Sequence, residues 1–183
     1  AGWTMAMIWS TNQFNADLED AVGSFDRDRA ALLCDSLIDH LHGRHDAYPF
    51  DESRTVLSLL RRKRYFGLMQ RVADAFIQNG QNNPGIRRDY AQSLLDQSNI
   101  TAGIYVLEEL VGETESDADQ AAEYAEAMGL LGRAYKQLYM DAGNANVARN
   151  REYLREAIRA YHRVYAANPK AYLWHGINCV ALI

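Results

Sequence analysis

The chain is poor in most of the features that announce an enzyme or a membrane protein. It has three prolines and two cysteines among 183 residues. Pro49, Pro84 and Pro169 all stand where helical patterns stop. Cys34 and Cys179 lie far apart, each inside an apolar helical pattern, and read as small buried hydrophobes in a reducing, cytoplasmic setting. No apolar run reaches the roughly 18–20 residues of a membrane span, so no membrane is expected as a partner. There is no glycine-rich phosphate loop and no Ser-His-Asp signature, which removes the commonest catalytic frameworks. Sustained period-two alternation and Asn-Gly hairpin signals are also missing, and this excludes a β fold. Positive charge is not in excess either. The formal net charge is −5, which argues against nucleic acid as an obligatory partner.

Helical periodicity fills the space these absences leave. Aliphatic and aromatic residues make up 48 % of the chain, an ordinary share for a globular protein, and they recur at spacings of three and four. A short helical stretch spans 15–25, with Leu18, Val22 and Phe25 on one side. Asp26 is a plausible N-cap for a helix running to His42, which carries Leu32, Leu33, Leu37, Ile38 and Leu41. A further helix starts at Asp51 or Ser53 and holds Val56, Leu57, Leu59 and Leu60. The next, 65–79, turns Phe66, Met69, Val72, Ala73 and Phe76 inward and stops at Gly80. Two more span 86–97 and 100–110, and an acidic linker is expected over 112–119. Residues 121–169 then form one long helical hairpin.

That hairpin carries the most specific pattern. Met128, Leu131, Gly132 and Tyr135 share a face of its first half. Leu154, Ala157, Ile158, Tyr161 and Val164 share a face of its second, which stops at Asn168-Pro169. A small residue, a ring four positions on and a proline eight further recur as Val72-Phe76-Pro84 and Ala157-Tyr161-Pro169. Close crossing of two helices needs a small residue, and the neighbouring ring fills the groove beside it. Leu131 to Ala157 spans twice the usual separation, so either both helices are extended or a loop projects around Met140–Arg151.

These residues resemble the tetratricopeptide repeat family. Met128, Leu131, Gly132 and Tyr135 match its first-helix positions, and Ala157, Tyr161 and Pro169 match the second-helix alanine, aromatic residue and closing proline. The match is partial over 68–84 and degenerate over 90–111. The resemblance implies an all-α, right-handed solenoid of about seven to nine antiparallel helices. The expected division is an N-terminal helical segment, 1–50, packing on repeats at 51–84, 85–118 and 119–169, with a further repeat starting over 170–183. A narrower likeness joins Leu131–Tyr139, Ala157 to Tyr165 and His175–Leu182 to the TRAFs-binding domain of ASK-type MAP kinase kinase kinases, and bacterial repeat proteins carry similar segments. It implies a cytoplasmic, non-catalytic interaction and regulatory scaffold within a larger signalling or effector protein. The alternatives are the regulatory part of an enzyme whose catalytic domain lies elsewhere, and a nucleic-acid-binding repeat. The apolar pattern is still running at Val180–Ile183, so a fragment of a longer protein is expected. Residues 1–10, with Trp3, Met5, Met7, Ile8 and Trp9 and no basic flank, read as a helix fragment or docking segment rather than a secretory signal.

Candidate partner-binding residues follow from charge and from the family. Residues 51–90 hold eight Lys/Arg against four Asp/Glu, whereas 1–50 carry −5. Within that basic middle Arg61, Arg62, Lys63 and Arg64 form the only dense run. The bland reading is a solvated turn paired with the acidic N-terminal segment; the functional one is an acidic protein partner. Repeat arrays of this family bind peptides along their first helices, which here offer Arg87, Tyr90, Gln97, Arg133, Lys136 and Asn178, with Arg133 and Lys136 favouring acidic ligands. The carboxylate clamp of some family members is not reproduced around Gly129 and Arg133. No catalytic residue, cofactor or metal is expected. His40 and His42 point about 200° apart on a helix, which opposes a shared metal and suits a solvated helix end. His175 and Cys179 share a helix face but lack an oxyanion hole or an orienting third group. Glu108, Glu109, Glu113 and Glu115 read as a solvated face.

Overall fold

In a computed structural model of the protein, residues 9–143 and 147–183 are described. Among them the chain is all-α, with nine α-helices, one short 3-10 turn and no strand. The helices are α1 (Thr11–Gly23), α2 (Arg27–His42), α3 (Phe50–Arg62), α4 (Phe66–Gln78), α5 (Pro84–Asp96), α6 (Ile100–Thr114), α7 (Ala121–Asp141), α8 (Ala148–Ala167) and α9 (Leu173–Val180). The docking segment expected over 1–10 lies outside the described residues except for its last two. No described helix is long and apolar enough to cross a membrane.

Several boundaries have visible causes. Ser10 accepts from the Gln13 N–H and starts α1 four residues before the apolar pattern does. Asp26 accepts from the Arg29 N–H at 3.0 Å, the expected N-cap of α2. Pro84 opens α5 as its first residue, a position where its missing N–H costs nothing. The expected linker over 112–119 is partly helical. α6 continues to Thr114, whose hydroxyl donates to the Leu110 carbonyl, and Glu113 on its last turn pairs with Arg87.

Three alternate interhelical turns, α1–α2, α3–α4 and α5–α6, share one backbone device. Phe25, Arg64 and Ser98 have φ of 62°, 60° and 66°. The next N–H in each turn reaches back to a helix carbonyl: Asp26 to Ala21 at 2.8 Å, Tyr65 to Leu60 and Asn99 to Leu94 both at 2.9 Å. This is the Schellman closure, here built with non-glycine residues at a left-handed position that disfavours a Cβ by roughly 1–2 kcal/mol. Gly80 and Gly143 occupy the same region with glycine.

The chain divides into two compact units, one ending at Ile86 and one starting at Arg87. The division falls inside α5, and in the first unit α1 and α2 pack with α3 and α4. In the first unit Leu18, Cys34, Leu37, Val56, Leu57, Leu60, Met69, Val72 and Phe76 are fully buried. The α2–α3 loop is drawn into this core. Tyr48 is buried, stacks on Phe76 at 5.3 Å between centroids, and donates its N–H to Asn79 Oδ1 at 2.8 Å. Asn79 Nδ2 in turn donates to the Leu41 carbonyl, and Gln81 Nε2 to the Tyr48 carbonyl.

The second unit is built on antiparallel pairs. Arg87 at the start of α5 meets Glu109 and Glu113 late in α6, while Leu95 at the other end of α5 packs on Gly103. In the long hairpin a Cβ on Gly132 would lie 2.7–2.8 Å from the Tyr161 ring, so the ring sits directly on the glycine. Ala157 is fully buried in the same hairpin. The extra length between Leu131 and Ala157 is helix. α7 has 21 residues and α8 has 20, against 13 in α5 and 15 in α6. Residues 144–146 of the expected turn lie outside the described residues. Tyr135 and Tyr153 stack at 6.4 Å along the extended part. α9 packs on α8 with Gly176 beneath the Tyr165 ring, while Leu173, Ile177 and Val180 remain exposed.

Candidate functional site

Helix α7 packs against α6 and α8, and its Gly129 lies against α9. Glu126, Leu130, Arg133, Gln137 and Asp141 recur at steps of three and four and therefore form one stripe. All five are exposed or half-buried. A cavity of about 330 Å³ lies at the Glu126 end, between Glu126, Gly129 and Leu130 of α7 and Tyr172, Trp174 and His175. A second, of about 350 Å³, lies at the Asp141 end, where Arg133, Gln137 and Asp141 meet Leu95, Asp96 and Ser98. One helix face thus connects two concave places of opposite character, the first largely aromatic and the second polar.

Beside the first cavity α9 comes close to α7 because Gly129 has no side chain. A Cβ there would stand 3.1 Å from His175 Nε2 and 3.2 Å from Trp174 Cζ3. His175 is only 6 % exposed, and its Nε2 lies 3.0 Å from the Ala125 carbonyl. A carbonyl only accepts, so that contact assigns the ring proton to Nε2. Nδ1 is buried and has no hydrogen-bond partner among the described residues. Tyr172, Trp174 and Tyr161 meet the imidazole edge to face at 5.6, 5.1 and 6.2 Å. Burial raises the Tyr161 hydroxyl to about 12, which keeps it protonated. In the second cavity Arg133 pairs with Asp96 Oδ1 at 3.2 Å, and Asp96 Oδ2 is buried without a partner among the described residues.

The residues singled out by sequence fall in different places. Arg133 lies on the stripe, but with its charge matched by Asp96. Arg87 is largely covered and pairs with Glu113 and Glu109. Gln97 is exposed and its amide donates to the Ser93 carbonyl; Tyr90 is half-buried one helix pair earlier. Lys136 is half-buried and makes no ion pair among the described residues. The Asn178 amide is turned back to the Trp174 carbonyl.

In the first unit the dense basic run is split by the end of α3. Arg61 and Arg62 line a cleft of about 430 Å³ with Arg54, Asn15 and Glu19. Lys63 instead places its ammonium 3.6 Å from the centroid of the Phe25 ring, and Arg64 lies over Phe66. Arg71 pairs with Asp35. In the second unit Arg88 is buried with Asp89 and Glu123. The basic middle of the sequence is thus largely spent on internal partners.

The remaining candidates carry structural duties. His40, expected at a solvated helix end, stacks on Trp9 at 4.2 Å; burial, and then the Arg44 charge, lower its affinity for a proton. Burial, followed by the Asp35 charge, pushes the Cys34 thiol up to about 12, so it stays a thiol. Cys179 contacts the Ile158 carbonyl at 4.0 Å while His175 is held by Ala125. Glu108, expected to be solvated, accepts from the Tyr135 hydroxyl, and Glu115 pairs with Arg163. Among the described residues no three His, Cys, Asp or Glu side chains gather into a metal-ligating group.

Sequence reasoning passed over Glu126, Leu130 and Trp174. The available signal was Gly129, a glycine in mid-helix with no turn to make, which marks a close approach. The family model described as Tetratricopeptide Repeats-Sensor matches residues 64–183 of the chain. No curated protein and no solved structure matches it.

Proposed function

We propose that this chain, which belongs to the Tetratricopeptide Repeats-Sensor family, is a non-catalytic interaction and sensing module that binds a peptide segment along the outer stripe of α7. The observation that carries this reading is the stripe itself. Leu130 sits between two cavities of about 330 and 350 Å³ on the first helix of the best-formed repeat, the helix class that repeat arrays of this kind present to ligands. The likeness of Leu131–Tyr139, Ala157 to Tyr165 and His175–Leu182 to the ASK-type TRAFs-binding domain and to bacterial repeat segments supports a cytoplasmic role as the regulatory part of a larger signalling protein. Service as the sensor of an attached enzyme is the same binding role in another setting.

Acidic ligands draw less support than the bare charges suggest, since Arg87 and Arg133 already face carboxylates. Their remaining support is Arg62, which lines a cleft in the first unit with Arg54 and Arg61. A nucleic-acid role is the weakest reading, because Lys63 and Arg64 are engaged with aromatic rings.

A random-peptide display selection on the whole chain, counter-screened with Leu130→Asp, tests the main reading. Peptides retained by the wild type and lost by the variant are the expected result. A selection whose peptides bind both proteins equally overturns it. Titration with a hexaglutamate peptide, repeated on Arg61→Glu/Arg62→Glu, reports separately on the acidic alternative.

A further inference from the structure

We propose that the cavity between α7 and Trp174 is a pocket for a basic side chain, arginine or lysine, of the bound peptide. The inference rests on the stripe of α7 being a peptide surface, and it names what one end of that surface selects.

Charge is the first argument. Glu126 is the only charged residue in the lining, it is exposed, and it makes no ion pair among the described residues. Every arginine near the other cavity and at the start of α5 is matched by a carboxylate, so Glu126 stands out as a carboxylate left without its cation. Aromatic surface is the second. Trp174 is 55 % exposed although it sits at the mouth of a cavity, and Tyr172 lines the same wall. An exposed indole beside a carboxylate favours a guanidinium or ammonium group, by the attraction of a cation to the ring and by charge-assisted hydrogen bonds to the carboxylate.

Hydrogen-bond valence is the third argument. His175 is more than nine-tenths buried, its N–H is spent on the Ala125 carbonyl, and its Nδ1 lone pair has no donor among the described residues. His175 Nδ1 is itself shielded, so the acceptor on this wall that a side chain in the cavity can reach is the Glu126 carboxylate. Guanidinium carries five N–H donors and ammonium three, with no acceptor between them. The apolar remainder, Leu130 and the rings, suits the methylene stem of such a side chain. An acidic side chain would meet Glu126 with like charge.

The test is a titration of the ¹⁵N-labelled whole chain, following the Trp174 indole N–H and the Gly129 amide. Probes are Ac-Gly-Arg-Gly-NH2, Ac-Gly-Lys-Gly-NH2, the uncharged Ac-Gly-citrulline-Gly-NH2, Ac-Gly-Glu-Gly-NH2 and methylguanidinium. The expected result is saturable shifts at both signals with the arginine and lysine peptides, and none with the citrulline or glutamate peptides. Glu126→Gln is expected to weaken the arginine peptide about tenfold, in keeping with a charge-assisted contact beside an aromatic ring. Equal binding of the citrulline peptide, or no change in Glu126→Gln, overturns the proposal. Methylguanidinium binding as tightly as the arginine peptide assigns the cavity to a free small cation and overturns it as well. Should display peptides still depend on Leu130 while Glu126→Gln changes nothing, the stripe survives and only this pocket assignment fails.

Discussion

In the second unit, helices approach one another across missing side chains. Gly103 receives Leu95, Gly132 receives the Tyr161 ring, Gly129 receives Trp174 and His175, and Gly176 receives the Tyr165 ring. In the first unit a Cβ on Gly23 would meet nothing within 4 Å, and one on Gly43 or Gly80 would touch a single atom at 3.7 Å. There the helices are joined by an inserted loop, whose Tyr48 is held by Asn79, Gln81 and a stack on Phe76. Local spacing specifies the first kind of contact, which can therefore be repeated. Residues 31 positions apart specify the second, and nothing in it is periodic. The family match, 64–183, covers all of the second unit and the last part of the first.

The contrast makes graded predictions, all measured as urea midpoints on the whole chain. Tyr48→Ala should cost about 3–5 kcal/mol, as large aromatic truncations do, because it empties the core under the loop. A cost below 1 kcal/mol would show that the loop is not a core element. Ala157→Trp, and independently Gly132→Val, should each cost about 3 kcal/mol or more, since the hairpin has no room for added atoms. Unchanged stability in both would break the glycine-and-ring account of the crossing. Asn79→Ala should cost about 1–3 kcal/mol through the orphaned Tyr48 N–H and Leu41 carbonyl.

A pH effect belongs to the first unit. His40 binds a proton less readily in the fold than in the unfolded chain, owing to burial and Arg44. Its contribution is therefore complete above the ordinary histidine value of about 6.5 and declines as the pH falls below it. The midpoint should drop from pH 7.5 to 5.5, and His40→Phe should reduce that drop; an identical drop in the variant would assign it elsewhere. The smallest effect has the opposite sign. Arg64→Gly should stabilise by about 0.5–1 kcal/mol by relieving the left-handed backbone, and a loss would show that the contact of Arg64 with Phe66 outweighs the strain.

How much of this was visible beforehand follows the same line. Gly132, Ala157, Tyr161 and Pro169 could be read together because one helix pair repeats them at short, fixed offsets. Asp26 as a cap could be read for the same reason. Tyr48 could not, since a lone tyrosine in a loop before a proline carries no periodic signal. His40 looked like a solvated helix end because its stacking partner, Trp9, is 31 residues away. The site was less visible still. Arg133 was found as a cation, but Asp96 opposite it comes from a different helix pair and reverses what its charge means. Glu126 and Trp174 are 48 positions apart, and what brings them to one cavity is the hydrogen that Gly129 carries in place of a methyl group.

The length of the α7–α8 hairpin has a consequence of another kind. α7 is 21 residues against 13 for α5, and α8 is 20 against 15 for α6. At about 1.5 Å per residue the longer arm adds roughly 12 Å of rod. Such a rod can grow with Tyr161 still seated on Gly132 when residues enter both arms together, on the same side of the crossing. An insertion in one arm alone would leave the two arms unequal beyond the crossing, with the connection at the tip taking up the difference. The crossing therefore acts as a fixed pivot. Residues added in matched steps beyond the crossing would lengthen the tip while the stripe of α7 keeps its place.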